Sequence, residues 1–139
     1  MEIINIKDVD NYDFLGCVKE IIPRCWSEKT AYKNEWDINN PSKNQCAVTA
    51  MVVQDVVGGD IVCCKTSDND LHFWNVLSDG THEDLTEDQF DDIIYPLKDH
   101  FEIYSREKLE LNEDTRKRYF LLITELLSCL IGDISDEGV

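Results

Sequence analysis

The stretch Cys46-Ala47-Val48-Thr49-Ala50-Met51-Val52-Val53-Gln54-Asp55-Val56-Val57 constrains this chain more than any other. Its apolar residues cover most of a helical circle instead of one stripe, and a helix that is apolar nearly all round has to be buried on all sides. Ser42 followed three places later by Gln45 has the spacing of a capping box, and Gly58-Gly59 supplies a C-terminal stop. The expectation is a central helix of about 13–15 residues with Cys46 in its first turn.

The flanking segments supply what would cover it. Over residues 10–22, Phe14, Leu15, Val18, Ile21 and Ile22 fall on one helical face, and Pro23 ends the run. Residues 24–44 are polar, with Trp26, Tyr32 and Trp36 scattered among them and turn chemistry at Asn39-Asn40-Pro41. This reads as a long loop, of the kind that often carries function. Residues 60–66 and 71–77 read as antiparallel strands joined at Ser67-Asp68-Asn69-Asp70, and Ser78-Asp79-Gly80 leads into a third at 81–85. Thr86-Glu87-Asp88-Gln89 predicts a capped helix to about Ile94, before Pro96. A strand is expected at 100–104. An amphipathic helix is expected over 113–131, with Asn112 as cap, Gly132 as stop and 133–139 as a frayed tail. Phe120, Leu127 and Leu130 on that helix suit a dimer partner as well as a core. The fold class is α+β: a central helix packed on a short antiparallel sheet, with flanking N- and C-terminal helices. There is no repeat, low-complexity tract or Pro/Ser-rich linker, so one domain over residues 1–139 is expected.

Twenty-nine Asp and Glu against 13 Lys and Arg give a net charge of −16, a field that repels phosphate backbones and anionic headgroups. Neither nucleic acid nor a membrane surface is expected as a partner. No apolar run reaches the roughly 20 residues a bilayer requires, since Thr124, Glu125 and Ser128 interrupt the longest. Met1-Glu2-Ile3-Ile4-Asn5 lacks the basic, apolar and small-residue succession of a signal peptide, so a cytoplasmic setting with six reduced cysteines is expected. Cys17 and Cys25 are too far apart for a zinc knuckle, Cys63 and Cys64 are adjacent, and no Cys-x-x-Cys occurs. No metal or cofactor is called for. Cys63 and Cys64 point to opposite faces of a strand, and Cys17, Cys25 and Cys129 receive no role.

Three residues stand where local structure would give them chemistry. A thiol at Cys46 meets the unpaired N–H groups and positive end of a helix, which favour thiolate over thiol. Alternation puts His72, Trp74 and Val76 on one strand face. If Ser78-Asp79-Gly80 is a three-residue hairpin loop with Gly80 left-handed, Leu77 pairs with Thr81 and Trp74 with Asp84. Asp84 then lies diagonally beside His72 and can orient its imidazole. A two-residue turn would turn Asp84 to the other face. The structural alternatives are a buried thiol, a histidine bonded to backbone, and Asp84 as the cap of the helix at Thr86. His82 competes as a partner for Asp84, and His100 has no evident partner.

The run Gln45-Cys46-Ala47-Val48-Thr49-Ala50, then Gly58-Gly59, His72-Phe73-Trp74-Asn75, Asp79-Gly80 and Asp84-Leu85-Thr86 with Gln89-Phe90 closely resembles the small bacterial YunG-like family. The resemblance covers about residues 36–90, with a weaker match at Ser105-Arg106-Glu107 and Arg118-Tyr119. The same pattern is similar to the transglutaminase-like, papain-type core: a Cys on a helix, a His-x-Trp strand, and an Asp followed by a small hydroxyl residue. That similarity implies Cys46 as nucleophile, His72 as base and Asp84 as orienter. It also implies an oxyanion held by the Cys46 N–H and one side chain, with Gln45 ranked ahead of Asn40. Trp74 would shield the His72–Asp84 contact, and Trp36 would wall the cleft. The chain departs from that core in its small size and in the 12 residues separating His72 from Asp84.

The expected function is a thiol hydrolase or acyltransferase acting on a peptide, amide or ester through a Cys46 acyl-enzyme. The alternative is a catalytically silent module whose acidic surface, at Glu83, Asp84, Glu87, Asp88, Asp91 and Asp92, meets a basic protein partner.

Overall fold

The computed structural model describes residues 11–137. Among them the chain is α+β, with four α-helices and a four-stranded antiparallel sheet. Helix α1 (Asn11–Ile21) runs into a 3-10 turn at Ile22–Arg24, and a second 3-10 turn at Tyr32–Asn34 interrupts the long loop. Helix α2 (Cys46–Val57) follows, then β1 (Asp60–Lys65), β2 (Leu71–Val76) and the short β3 (His82–Glu83). Strand β4 (Glu102–Ile103), helix α3 (Arg106–Leu111) and the long α4 (Glu113–Glu137) complete it. The sheet order is β3-β2-β1-β4. No helix among the described residues is long and apolar enough to cross a membrane.

Helix α2 is the centre, as its sequence demands. Val48, Thr49, Ala50, Met51, Val52 and Val53 are all buried. Val48 and Val52 meet Val18, Ile22, Trp26, Leu122 and Leu126 from α1, its following turn and α4. On the other side Ala50 and Met51 meet Ile61, Phe73 and Leu109. Five valines in one helix cost roughly 0.5 kcal/mol each relative to alanine. Burying each contributes roughly 1.5–3 kcal/mol, so tertiary packing decides the helix against local propensity. A third cluster, Val62, Cys64 and Trp74 with Val76, lies on the opposite face of the sheet.

The β2–β3 hairpin has the register that a three-residue loop requires. Val76 pairs with His82 and Asn75 with Glu83, while the Leu77 N–H donates to Thr81. Gly80 sits at φ 86°, the left-handed position closing the turn. Gly59 is needed for a second reason: at φ 76°, a Cβ there would lie 2.6 Å from the Val76 carbonyl oxygen.

Several expectations are corrected. The capping box does not form: Gln45 occupies the N-cap without a side-chain bond to the helix, because its amide is drawn to the Ser27 carbonyl at 3.0 Å. The helix expected over 86–94 is only a 3-10 turn at Glu87–Gln89. Its donors are taken locally, with Asp91 Oδ1 accepting from the N–H groups of both Ile93 and Ile94, and four close acidic side chains disfavour further winding. Helix α4 does not stop at Gly132 but runs to Glu137, one interior glycine costing about 1 kcal/mol against many propagating residues. Asn112 does cap it, Oδ1 accepting from the Thr115 N–H at 2.9 Å. Phe14 lies partly outside the α1 core face, 38% exposed, whereas Leu15, Val18, Ile21 and Ile22 are buried. On α4, Phe120 and Leu127 are exposed and Leu130 packs against the core. Residues 1–5, where no signal peptide is expected, lie outside the described residues, as do residue 10 and residues 138–139.

Helix α3 has no counterpart in the sequence reading, although Ser105 caps it through a bond from the Lys108 N–H. Its Arg106 donates to the Met51 carbonyl, Gln54 and Asp55, tying α3 to α2. Tyr119 reaches the same Asp55 from α4.

Gly59→Ala is expected to lower unfolding free energy by roughly 2–4 kcal/mol, combining a positive φ with a backbone clash. Gly16→Ala in α1, where a Cβ meets nothing within 4 Å, is expected to be neutral or to stabilise by up to about 1 kcal/mol. Urea denaturation of the two variants checks both signs.

Candidate functional site

His72 is wholly buried at the start of β2, and its Nε2 lies 2.6 Å from Asp84 Oδ2. The carboxylate reaches it because the hairpin register carries residue 84 back opposite Trp74. The Asp84 side chain is only 4% exposed and both its oxygens are engaged. Oδ1 accepts from the Thr86 N–H and hydroxyl at 3.2 and 3.3 Å, closing a turn. Oδ2 accepts from His72 and from Lys98 Nζ at 2.8 Å. The turn-capping and imidazole-holding geometries thus coexist on one side chain.

The imidazole is boxed by aromatic rings. Trp74, itself buried, stacks on it with centroids 5.5 Å apart, and Phe90 meets it edge-on at 4.6 Å. Trp74 Nε1 donates to His82 Nδ1 at 3.0 Å, so His82 is engaged with the tryptophan and is no competitor for Asp84. Trp36 instead donates to the Pro41 carbonyl and does not line the cleft.

Cys46 opens α2 and is partly exposed at the mouth of a cleft of about 500 Å³. The thiol lies close enough to the imidazole for its charge to bear on the ring, without a hydrogen bond of ordinary geometry. With Nε2 taken by Asp84, the nitrogen that remains is Nδ1, which is buried and has no partner of ordinary hydrogen-bond geometry. Burial by itself pushes the imidazole toward its neutral form. The bond to Asp84 and the neighbouring Cys46 outweigh that and raise its pKa from 6.5 to about 9. Burial likewise works against the Asp84 carboxylate, yet His72 and Lys98 hold its pKa below the ordinary value. Other thiols lie in different surroundings: burial pushes Cys25 up to about 12, with Cys129 at 3.8 Å adding to the effect, and burial also raises Cys63 and Cys64.

Two expected supporting residues separate in space. Asn40 lines the cleft beside Cys46, its amide donating to the Gln89 carbonyl at 3.2 Å. Gln45 is fully buried, bonded to Ser27 and absent from the cleft wall. The Cys46 N–H, at the first position of the helix, is accepted by no described residue. Among the described residues, three buried side-chain atoms have no hydrogen-bond partner: Ser42 Oγ, Gln45 Oε1 and His72 Nδ1. Two lie in the segment entering α2 and the third on the imidazole, although each such atom costs roughly 1–3 kcal/mol.

Lys98 was invisible to the sequence reading. No local pattern marks it, and it is positioned because Leu97 donates to the Lys65 carbonyl and Tyr95 accepts from the Ser67 N–H, laying the segment along the end of β1. Its ammonium also sits 5.1 Å from the Trp74 ring centroid.

An α+β chain carrying a Cys at a helix start, a buried His held by an Asp, and a cleft at the thiol is the class of protein that fold and site define. A family model described as "YunG protein" matches residues 15–130. The chain is also 34% identical, over 120 residues, to the "Uncharacterized protein YunG" of Bacillus subtilis (strain 168), covering 86% of this chain and 96% of that protein. The chain belongs to the YunG family. No solved structure matches it.

The stability that the His72–Asp84 pair contributes has a defined pH window. The raised histidine pKa contributes fully below its unfolded value of 6.5 and is lost as pH rises through about 9. The lowered aspartate pKa contributes above its ordinary 3.8 and is lost as pH falls through the depressed folded value. Titration by ¹H–¹⁵N NMR is expected to show the His72 ring protonated up to about pH 9. In Asp84→Asn the ring should titrate well below the wild type, because burial is then opposed only by Cys46. A wild-type ring titrating near 6.5 would contradict the geometry whether or not the variant folds.

Proposed function

We propose that this protein is a cysteine-dependent hydrolase or acyltransferase acting on an amide or ester, with a transglutaminase-like, papain-type arrangement of Cys46, His72 and Asp84. The observation that carries this reading is the buried imidazole, held at one nitrogen by Asp84 at 2.6 Å and close enough to the cleft-lining Cys46 to feel its charge.

In this reading the Cys46 sulfur attacks the carbonyl carbon as its proton resides on His72. The C–S bond forms while the carbonyl π-bond opens onto oxygen. The Cys46 N–H and the Asn40 amide are the donors available to that oxyanion, which moves the supporting role from Gln45 to Asn40. Collapse breaks the bond to the amine or alkoxide, and the imidazolium gives it the proton. Water or an amine then attacks the thioester, passes its proton to His72, and releases the acyl group with Cys46 restored. Asp84 holds the ring orientation throughout, and Lys98 keeps that carboxylate ionised. A cytoplasmic, reducing setting suits a mechanism that needs a free thiol.

Iodoacetamide alkylation followed by mass spectrometry tests the pair without knowledge of the substrate. At pH 6.5 a thiol of reference pKa about 8.5 is only about 1% thiolate. Cys46 is expected to react at least about tenfold faster than exposed Cys17 there, and His72→Ala should remove the advantage. A Cys46 no faster than Cys17 would return the chain to a silent binding module.

A further inference from the structure

The cleft at Cys46 is charged unlike the chain as a whole. Of 13 basic residues in a protein of net charge −16, Lys43, Lys108 and Arg118 all line it. Arg118 is structurally committed: its buried guanidinium bonds Asp114, the Thr30 carbonyl and Thr115, and faces the Tyr32 ring. Lys43 and Lys108 are not. Lys19, Lys98 and Lys117 pair with Glu83, Asp84 and Glu113, but neither cleft lysine has a carboxylate partner among the described residues. Both side chains are exposed along the cleft that holds Cys46, where an ammonium no carboxylate neutralises can receive an anion.

The two lysines converge from separate elements. Lys43 lies three residues before Cys46, in the turn entering α2. Lys108 comes from α3, its ammonium 5.7 Å from the Tyr104 ring, which meets Phe73 edge-on at 5.1 Å. Phe73 and Tyr104 line the same cleft as Cys46, so this aromatic pair holds the Lys108 charge on the thiol's side of the sheet. Asp68, Asp70 and Asp91 also line the cleft, from the β1–β2 turn and the turn after the 3-10 helix. Asp70 and Asp91 each spend an oxygen on a nearby N–H and Asp68 on the Thr66 hydroxyl, and this acidic wall turns an entering anion toward the lysines.

We propose that the Cys46 cleft selects acyl substrates bearing a free carboxylate, which Lys43 and Lys108 receive. The inference rests on Cys46 being the nucleophile and adds the chemical class of its substrate.

Iodoacetate and iodoacetamide react at the same carbon and differ in charge, so their rate ratio at Cys46 reads the cleft, with Cys17 as internal reference. In the full chain at pH 6.5 and low salt, the iodoacetate preference at Cys46 should exceed that at Cys17 by roughly fivefold. It should shrink in 0.5 M salt. Lys43→Gln and Lys108→Gln should each lower the ratio, the double variant should bring it to the Cys17 value, and Lys108→Arg should retain it. A ratio equal to that of Cys17, or one unmoved by the lysine substitutions because the His72 charge alone attracts the reagent, overturns the proposal while leaving the nucleophile intact. Slow, His72-independent reaction with iodoacetamide instead overturns the nucleophile, and the substrate class with it.

Discussion

Burial of α2 on every side organises this molecule. An amphipathic helix is satisfied by one neighbour; a helix apolar nearly all round needs helices against one flank and a sheet against the other, and α1, α4 and the β1–β2 pair take those places. The polar exception within it is instructive. Thr49, buried among valines, accepts from Trp26 Nε1 at 3.0 Å, so its hydroxyl anchors the long loop after α1 instead of standing unpaired. Asn75 of β2 does the same from the sheet side, donating to the Ala50 carbonyl at 2.9 Å. Position and orientation of the helix start follow from these contacts, and Cys46 sits at that start.

Asp84 is the second constraint, because it joins backbone geometry to side-chain chemistry. One oxygen closes the turn through Thr86 and the other faces the imidazole and an ammonium. Burying a carboxylate with both lone-pair sets occupied keeps it charged where an unpaired one would take up a proton. Lys98 is therefore part of the site's electrostatics, although it touches neither Cys46 nor His72 in any bond described above. The aromatic box of Trp74 and Phe90 lowers the local dielectric, which strengthens each of these contacts.

The unpaired buried atoms at Ser42, Gln45 and His72 run against the economy of the rest of the core. The remaining interior is well satisfied: Arg118 bonds three partners, and Arg106 bridges two helices.

Local physics written in consecutive residues was enough for much of this. The all-round apolar pattern of α2, the alternation in β1 and β2, and the left-handed Gly80 in a three-residue loop are each short-range, and together they put Cys46 at a helix start and Asp84 on the face of His72. The same short-range reasoning misplaced Gln45, because Ser42 at capping distance says nothing of a Ser27 carbonyl 18 residues earlier. It overextended the helix at 86–94, where Asp91 and Asp84 take the N–H groups for turns, and it missed α3, whose six residues hold their place through Arg106 on α2. Lys98 against Asp84, Asn40 at the cleft, and the pairing of Lys43 with Lys108 across it were decided only by tertiary structure. A side chain's charge is local, but the dielectric around it and the partner opposite it come from residues far along the chain.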